Sequence, residues 1–172
     1  TRVGPWTRHQ RSIGNRNRWL TVLHDEVTLP DGEPGIYAVV HNAKTAVGVV
    51  AIDDQDRVAL EGPHRDAFDS YQWEIPEGGS PLEEDSLQGA KRELLEETGL
   101  TARSWRVIGR WDLSNSVTAE AAVAYLATEL AHGPAAPDPE EQLDFRWLPF
   151  DEVMALIEQG GITDALTVLP MQ

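Results

Sequence analysis

An α/β sandwich is the fold class this sequence predicts, and three observations carry it. Short apolar or alternating runs, bounded by turn signals, recur between residues 19 and 75 and again between 105 and 148. Residues 85–98 switch to helical periodicity, and a second helical stretch covers 151–159. At 172 residues and 41% hydrophobic content, the chain is long and apolar enough to bury a real core. Strands mixed with two or three helices give an α/β or α+β sandwich.

The segment up to Gly14 lacks clear periodicity and is expected to be an arm. Residues 19–28 roughly alternate (Trp19, Thr21, Leu23), which predicts a strand. Pro30-Asp31-Gly32 is a turn signal, and residues 35–41 (GIYAVVH) form the returning strand. Residues 46–52 (AVGVVAI) are a continuous apolar run, as a buried strand requires. Asp53-Asp54-Gln55-Asp56 turns the chain into a strand over 57–60, and another is expected over 71–75, closed by Pro76. In the first helix Leu87, Ala90 and Leu94 share one face, with Asp85 as N-cap and Gly99 just past the end. Strands follow at 105–113 and 121–130, then a Pro- and acid-rich loop over 132–142 and a last strand at 145–148. The second helix ends at Gly160-Gly161, and a short third one starts near Asp164.

Composition excludes several functions. Without cysteine there are no disulfides, thiolate metal sites or Cys nucleophiles, which fits a cytoplasmic protein. No apolar run approaches the ~20 residues of a membrane span. The first 18 residues are polar and basic, without the apolar core of a secretory signal. Fourteen basic against 29 acidic residues give a net charge of −15, a field that repels nucleic-acid backbones. An acidic protein that handles phosphates needs cations between the two. Its own are unevenly placed: Arg2, Arg8, Arg11, Arg16 and Arg18 all lie in the N-terminal arm.

The chemistry concentrates in residues 78–100, GGSPLEEDSLQGAKRELLEETGL. Glu93 and Glu97, four apart on a helix, point from one face, and Glu96 lies at its margin. Three carboxylates this close repel one another unless a cation compensates. Mg²⁺ is suited to the task, being a hard ion that takes oxygen ligands and shares its shell with phosphates; Mn²⁺ is a possible substitute. Arg92 can pair with a neighbouring carboxylate and hold its rotamer. Alone, RELLEE would equally suit a solvated helix face.

The wider pattern resolves that choice. Gly78, Glu84, Arg92-Glu93, an aliphatic, Glu96-Glu97, Gly99 and an aliphatic fall at the spacing of the Nudix box, matched at every fixed position. The chain is therefore identified as a member of the Nudix hydrolases. Trp73-Glu74-Ile75-Pro76 resembles the lead-in of the ADP-ribose pyrophosphatase branch, with Glu77 where that branch usually has Ala. The likeness runs from about Arg16 to Leu166.

The resemblance implies a Nudix fold, an α/β/α sandwich of mixed sheet between helices. It also implies an N-terminal arm and β-hairpin over residues 1–43, used in homodimerisation, and a hydrolase domain over 44–172. Glu93 and Glu97, with Glu96, the backbone carbonyl of Glu77 and Glu84, would hold or brace the metal. Arg92 and Glu96 would assist catalysis. Arg65 sits where the family has a substrate-contacting arginine, and Gly78 would line the substrate. Residues 113–120 (LSNSVTAE) lack the proline typical of ADP-ribose enzymes and resemble a group acting on nucleoside diphosphate sugars more broadly. A glutamate of this loop is the favoured general base, and Glu120 matches it; the other reading is a solvated strand start. An N-terminal aromatic stacks on the nucleobase in family dimers, so Trp6 and Trp19 are either substrate contacts or packing residues. The five histidines show no ligand spacing, and Glu140 and Glu141 are expected to face solvent.

The function implied is metal-dependent hydrolysis of nucleoside diphosphate sugars (ADP-ribose, ADP-glucose or GDP-mannose type) to a nucleoside monophosphate and a sugar phosphate. A house-cleaning nucleoside triphosphate pyrophosphatase and a non-catalytic nucleotide sensor are the alternatives. The isomerase that shares the fold uses a cysteine, which this chain lacks.

Overall fold

The computed structural model describes residues 1–134 and 143–172, so Glu140 and Glu141 of the expected acidic loop lie outside the described residues. The chain forms two compact units, Thr1–Lys44 with Asp112–Ala121, and Thr45–Trp111 with Ala122–Gln172.

In the first unit, β1 (Arg2–Val3), β2 (Trp6–Arg16), β3 (Leu20–Thr28) and β4 (Pro34–Asn42) form a continuous antiparallel ladder. Thr118 and Ala119 add a parallel partner alongside Val40 and His41. The β2–β3 turn is fixed by Asn17, whose Oδ1 accepts from the Trp19 and Leu20 amides at 2.9 and 3.0 Å. The expected 30–32 turn closes through Gly32 N–H to Leu29 O at 3.0 Å, with Gly32 at φ 94°, where glycine is favoured. The segment expected to be an arm is instead the long strand β2. Nearly all its residues are exposed, so neither face has to be apolar and no alternation is written into it. Register shifts at Arg8/Gln10 and Ile13/Asn15 blur the pattern further.

The remaining elements are β5 (Lys44–Ala51), β6 (Arg57–Gly62), β7 (His64–Arg65), β8 (Ser70–Tyr71), β9 (Glu77–Pro81), α1 (Ser86–Thr98), β10 (Leu100–Ser114), β11 (Thr118–His132), β12 (Asp144–Pro149), α2 (Phe150–Glu158) and α3 (Ala165–Met171). In the second unit Ala122–Ala127 of β11 run parallel to Ala46–Ala51 of β5. β9 pairs with β5, β10 with β11, and β12 runs antiparallel to β6.

Strand β5 explains the layering. Its Val47, Val49 and Ala51 pack with Ala90 and Leu94 of α1, while Val50 on the opposite face joins Val153 of α2 and Met171 of α3. Both faces are covered, so the run reads as continuously apolar, and the expected α/β/α sandwich is found here. Gly48 belongs to the second face, where a Cβ would come within 2.9 Å of the Leu166 side chain of α3.

Two local expectations change. The strand expected over 71–75 is only β8 plus a single bridge at Glu74, whose amide and carbonyl exchange hydrogen bonds with Glu61 at 3.0 and 2.8 Å before Pro76 ends the pairing. Strand β9, with two glycines and a proline, carries no strand signal, yet it pairs at the edge of β5. Helix α1 follows its sequence signals: Asp85 Oδ1 accepts from Leu87 N–H at 2.8 Å, and Gly99 takes the left-handed conformation at φ 71°. No helix among the described residues is long and apolar enough to cross a membrane.

Candidate active site

Helix α1 and the glycine loop before it build the first half of the site. The Glu93 carboxylate lies directly over Gly78, so that a Cβ there would collide with it. Only glycine allows this approach. Arg92 organises the rest: its Nη1 donates to Glu93 Oε1 at 2.8 Å and to Glu96 Oε2 at 3.1 Å, and its Nη2 donates to Gly79 O at 3.2 Å. Arg92 Nη2 is also 3.7 Å from Glu84 Oε2, which accepts from Ser80 Oγ at 3.1 Å. One guanidinium thus joins three box glutamates to the loop. Gly89 permits this as well, since a Cβ there would press on the Ser80 hydroxyl.

The second half comes from outside the box. Glu61 at the end of β6 and Glu74 on the following segment are 2% and 1% exposed, and their backbones are bridged. Arg65 Nε donates to Glu74 Oε2 at 3.1 Å, and its Nη2 donates both to Glu74 Oε1 and to Glu77 Oε1, the latter at 3.0 Å. Oxygens of Glu74, Glu77 and Asp164 lie within 4.8 Å of one another. Glu61 shares a side-chain hydrogen bond with Glu97, which links this group to the box helix.

Proton affinities reflect the crowding. Burial pushes Glu61 up to about 9, with the charges of Glu74 and Glu77 adding to the effect, while the Glu97 hydrogen bond and Arg65 oppose it. Burial also raises Glu74, against the opposing pull of Arg65, and Asp164 adds to it. Glu77 is held well above the usual carboxylate range by burial, then by Asp164 and Glu74. Glu74, Glu77 and Glu61 share the charge of the Arg65 guanidinium.

The structure therefore brings together Glu77, Gly78, Glu84, Arg92, Glu93, Glu96 and Arg65 of the expected set, with Glu97 tied in through Glu61. Arg65 is clasped by Glu74 and Glu77. Three expected residues belong to the first unit. Trp6 packs edge-to-face on Tyr37 at 5.2 Å and lines a cavity of about 280 Å³ with Arg8, Asp25 and Val27. Trp19 is 61% exposed, with the Arg18 guanidinium 4.1 Å from its ring centre. Glu120 is half-buried near the start of β11. The sequence reading missed Glu61, Glu74 as a site residue, and Asp164. Glu61 did leave a signal, being a lone acid inside an apolar strand run, RVALEG.

The donor set fits a hard divalent cation. All its atoms are carboxylate or carbonyl oxygens, and the Oε2 atoms of Glu61 and Glu77 are buried with no hydrogen-bond partner among the described residues. Buried carboxylates at this density require either protons or a cation.

Residues 42–166 match the family model described as NUDIX domain, and residues 6–40 match that of the nucleoside diphosphate sugar hydrolase N-terminal domain. The chain is 30% identical over 166 residues to a CMP-5'-(N-acetyl-N-hydroxy-3-aminopropyl)phosphonate hydrolase of Streptomyces rubellomurinus, covering 95% of this chain and 79% of that protein. It is also 30% identical over 152 residues to an ADP-ribose pyrophosphatase of Mycobacterium tuberculosis, covering 87% and 73%. The crystal structure of an ADP compounds hydrolase superposes with a TM-score of 0.86 at 22% identity, over 99% of this chain and 92% of that one, a likeness of fold.

Proposed function

The chain belongs to the NUDIX family and is a hydrolase, and from that premise we propose that it cleaves the pyrophosphate bond of nucleoside diphosphate sugars, of the ADP-ribose, ADP-glucose or GDP-mannose type. The products are a nucleoside monophosphate and a sugar phosphate. The observation that carries the reaction is the carboxylate array of α1, set over Gly78 and braced by Arg92. The substrate class is supported by residues 6–40, which fold as the β2–β4 sheet and match an N-terminal domain named for such hydrolases.

The family depends on a divalent metal, and Mg²⁺ is the ion proposed here. Glu93 and Glu97 would hold it, with Glu96, Glu84 and the Glu77 carbonyl completing or bracing the site. When bound, it neutralises pyrophosphate charge and lowers the pKa of the attacking water. Arg92 keeps Glu93 and Glu96 in place, and Arg65 is the proposed contact to the substrate phosphates. Glu120 is the proposed general base: it accepts the water proton as the new P–O bond forms and the bridging P–O bond breaks. Trp6 or Trp19 is the proposed nucleobase contact, worth about 1–3 kcal/mol if stacked. A homodimer is supported by exposed Ile13, Ile36 and Val117 in the first unit, and a cytoplasmic location by the absence of cysteine.

The test is chromatographic product analysis after incubation with Mg²⁺ and ADP-ribose, ADP-glucose, GDP-mannose, UDP-glucose and several nucleoside triphosphates. Glu97→Gln serves as the blank. Cleavage of the diphosphate sugars to a nucleoside monophosphate, lost by orders of magnitude in the variant, is the expected result. Turnover confined to triphosphates would overturn the substrate class, and no turnover at all would leave a nucleotide sensor.

A further inference from the structure

A guanidinium carries its N–H groups in a fixed fork, and those of Arg65 are divided unequally. Nε donates to Glu74 Oε2 at 3.1 Å and Nη2 donates to Glu74 Oε1, a side-on clasp by one carboxylate. The other N–H of Nη2 goes to Glu77 Oε1 at 3.0 Å. The pair on Nη1 donates to no group among the described residues, and the side chain is 41% exposed. The free donors of Arg65 therefore sit on a single nitrogen.

Glu77 is not a loose surface partner. Its side chain is 15% exposed. It shares a side-chain hydrogen bond with Asp164, whose Oδ2 is anchored in the cap of α3 by accepting from Thr167 N–H at 2.7 Å. Glu74 is held as firmly, at 1% exposure and bridged through its backbone to Glu61. Turning Arg65 towards a ligand would break bonds to two fixed side chains.

We propose that the Glu77 side chain is a specificity-determining residue: by occupying Nη2, it limits Arg65 to a substrate phosphate contact through Nη1 alone. This rests on the reading of Arg65 as the contact to the substrate phosphates. A guanidinium can grip two oxygens along either of two edges, Nε with Nη2 or Nη2 with Nη1. Glu74 fills the first edge. An alanine at this position, usual in the branch the chain resembles, leaves the second edge open to clasp a phosphate; Glu77 closes it. The consequence is looser ground-state binding of the diphosphate, which raises KM without slowing the chemical step. Exchange of the side chain leaves the Glu77 carbonyl, the proposed brace of the metal, in place.

The test is isothermal titration of the full chain, in Mg²⁺, with α,β-methylene ADP, a diphosphate whose bridge resists hydrolysis. Glu77→Ala should bind it at least about tenfold more tightly than wild type, as a second charge-assisted hydrogen bond becomes available. Glu77→Gln keeps an oxygen to accept from Nη2 and should stay within about twofold of wild type. In turnover of a diphosphate sugar, Glu77→Ala should lower KM without raising kcat. Equal tightening in both variants overturns the proposal, since the cause would then be lost charge and not an occupied donor. Equal binding by all three proteins also overturns it, but leaves Arg65 as a phosphate contact. If none of the three binds the diphosphate, the reading of Arg65 falls together with the proposal.

Discussion

Asp25 in the first unit and Glu74 in the second are both carboxylates withdrawn from water, at 5% and 1% exposure, but they are matched in opposite ways. Asp25 receives two guanidiniums. Arg11 binds both its oxygens at 2.7 Å and Arg8 reaches it at 3.3 Å. Its pKa is lowered, chiefly by the hydrogen bonds from Arg11. Glu74 shares a single guanidinium with Glu77, and Glu61 and Asp164 add charge nearby. There the pKa values rise, with burial as the leading cause. A buried carboxylate is therefore not in itself the mark of a functional site. The ratio of charges around it is the better guide, and by that ratio the first is a structural clasp and the second is short of positive charge.

Removing an arginine should sharpen the contrast most. Arg65→Ala strips from Glu74 the only guanidinium bound to it among the described residues; with the Arg65 side chain 41% exposed but Glu74 buried, it is expected to cost about 1–3 kcal/mol in metal-free buffer, and less with Mg²⁺ present. Arg11→Ala leaves Arg8 on Asp25 and, with the Arg11 side chain 39% exposed, should cost about 1 kcal/mol or less, with no dependence on Mg²⁺. Urea unfolding of both variants in EDTA and in Mg²⁺ checks the pair; equal costs would erase the distinction. Next in size is Gly78→Ala. Its Cβ must displace the Glu93 carboxylate, so turnover should fall about 100-fold while far-ultraviolet circular dichroism stays native.

A change of pH tests the same contrast, and the two regions should respond with opposite sign. Asp25 is depressed, so its stabilisation is present above its unfolded value near 3.8 and is lost as pH falls through the folded one. Glu61 is raised from 4.5 to about 9, so its stabilisation is complete below 4.5 and drains away as pH rises towards 9. Metal-free protein should therefore lose stability steadily from pH 5 to 9, and Glu61→Gln should flatten that slope. Urea midpoints across this range in EDTA are the measurement. A wild-type slope no steeper than that of the variant would contradict the assignment.

What was legible in the sequence follows from what each element needs to bury. The α1 signals were local: an N-cap, a C-terminal glycine and three apolar residues on one face, all of which the fold uses. Strand β5 was legible because both faces are covered. Strand β2 was not, because it buries almost nothing, and β9 was not, because its pairing is supplied by β5 rather than by its own residues. The box side of the site could be read from spacing along one helix. Its partner side could not, since Glu61, Glu74 and Asp164 lie far apart in sequence and meet only through β6, the bridge at Glu74 and the cap of α3. Asp164 in particular reads as an ordinary helix cap, which it also is.

The most direct test of the central claim, that the carboxylates of α1 hold a divalent cation, is the thermal unfolding midpoint at pH 8 in EDTA and in saturating Mg²⁺. Wild-type protein should gain about 5 °C from Mg²⁺, and Glu97→Gln much less. An unchanged wild-type midpoint, or an equal gain in the variant, would contradict the claim.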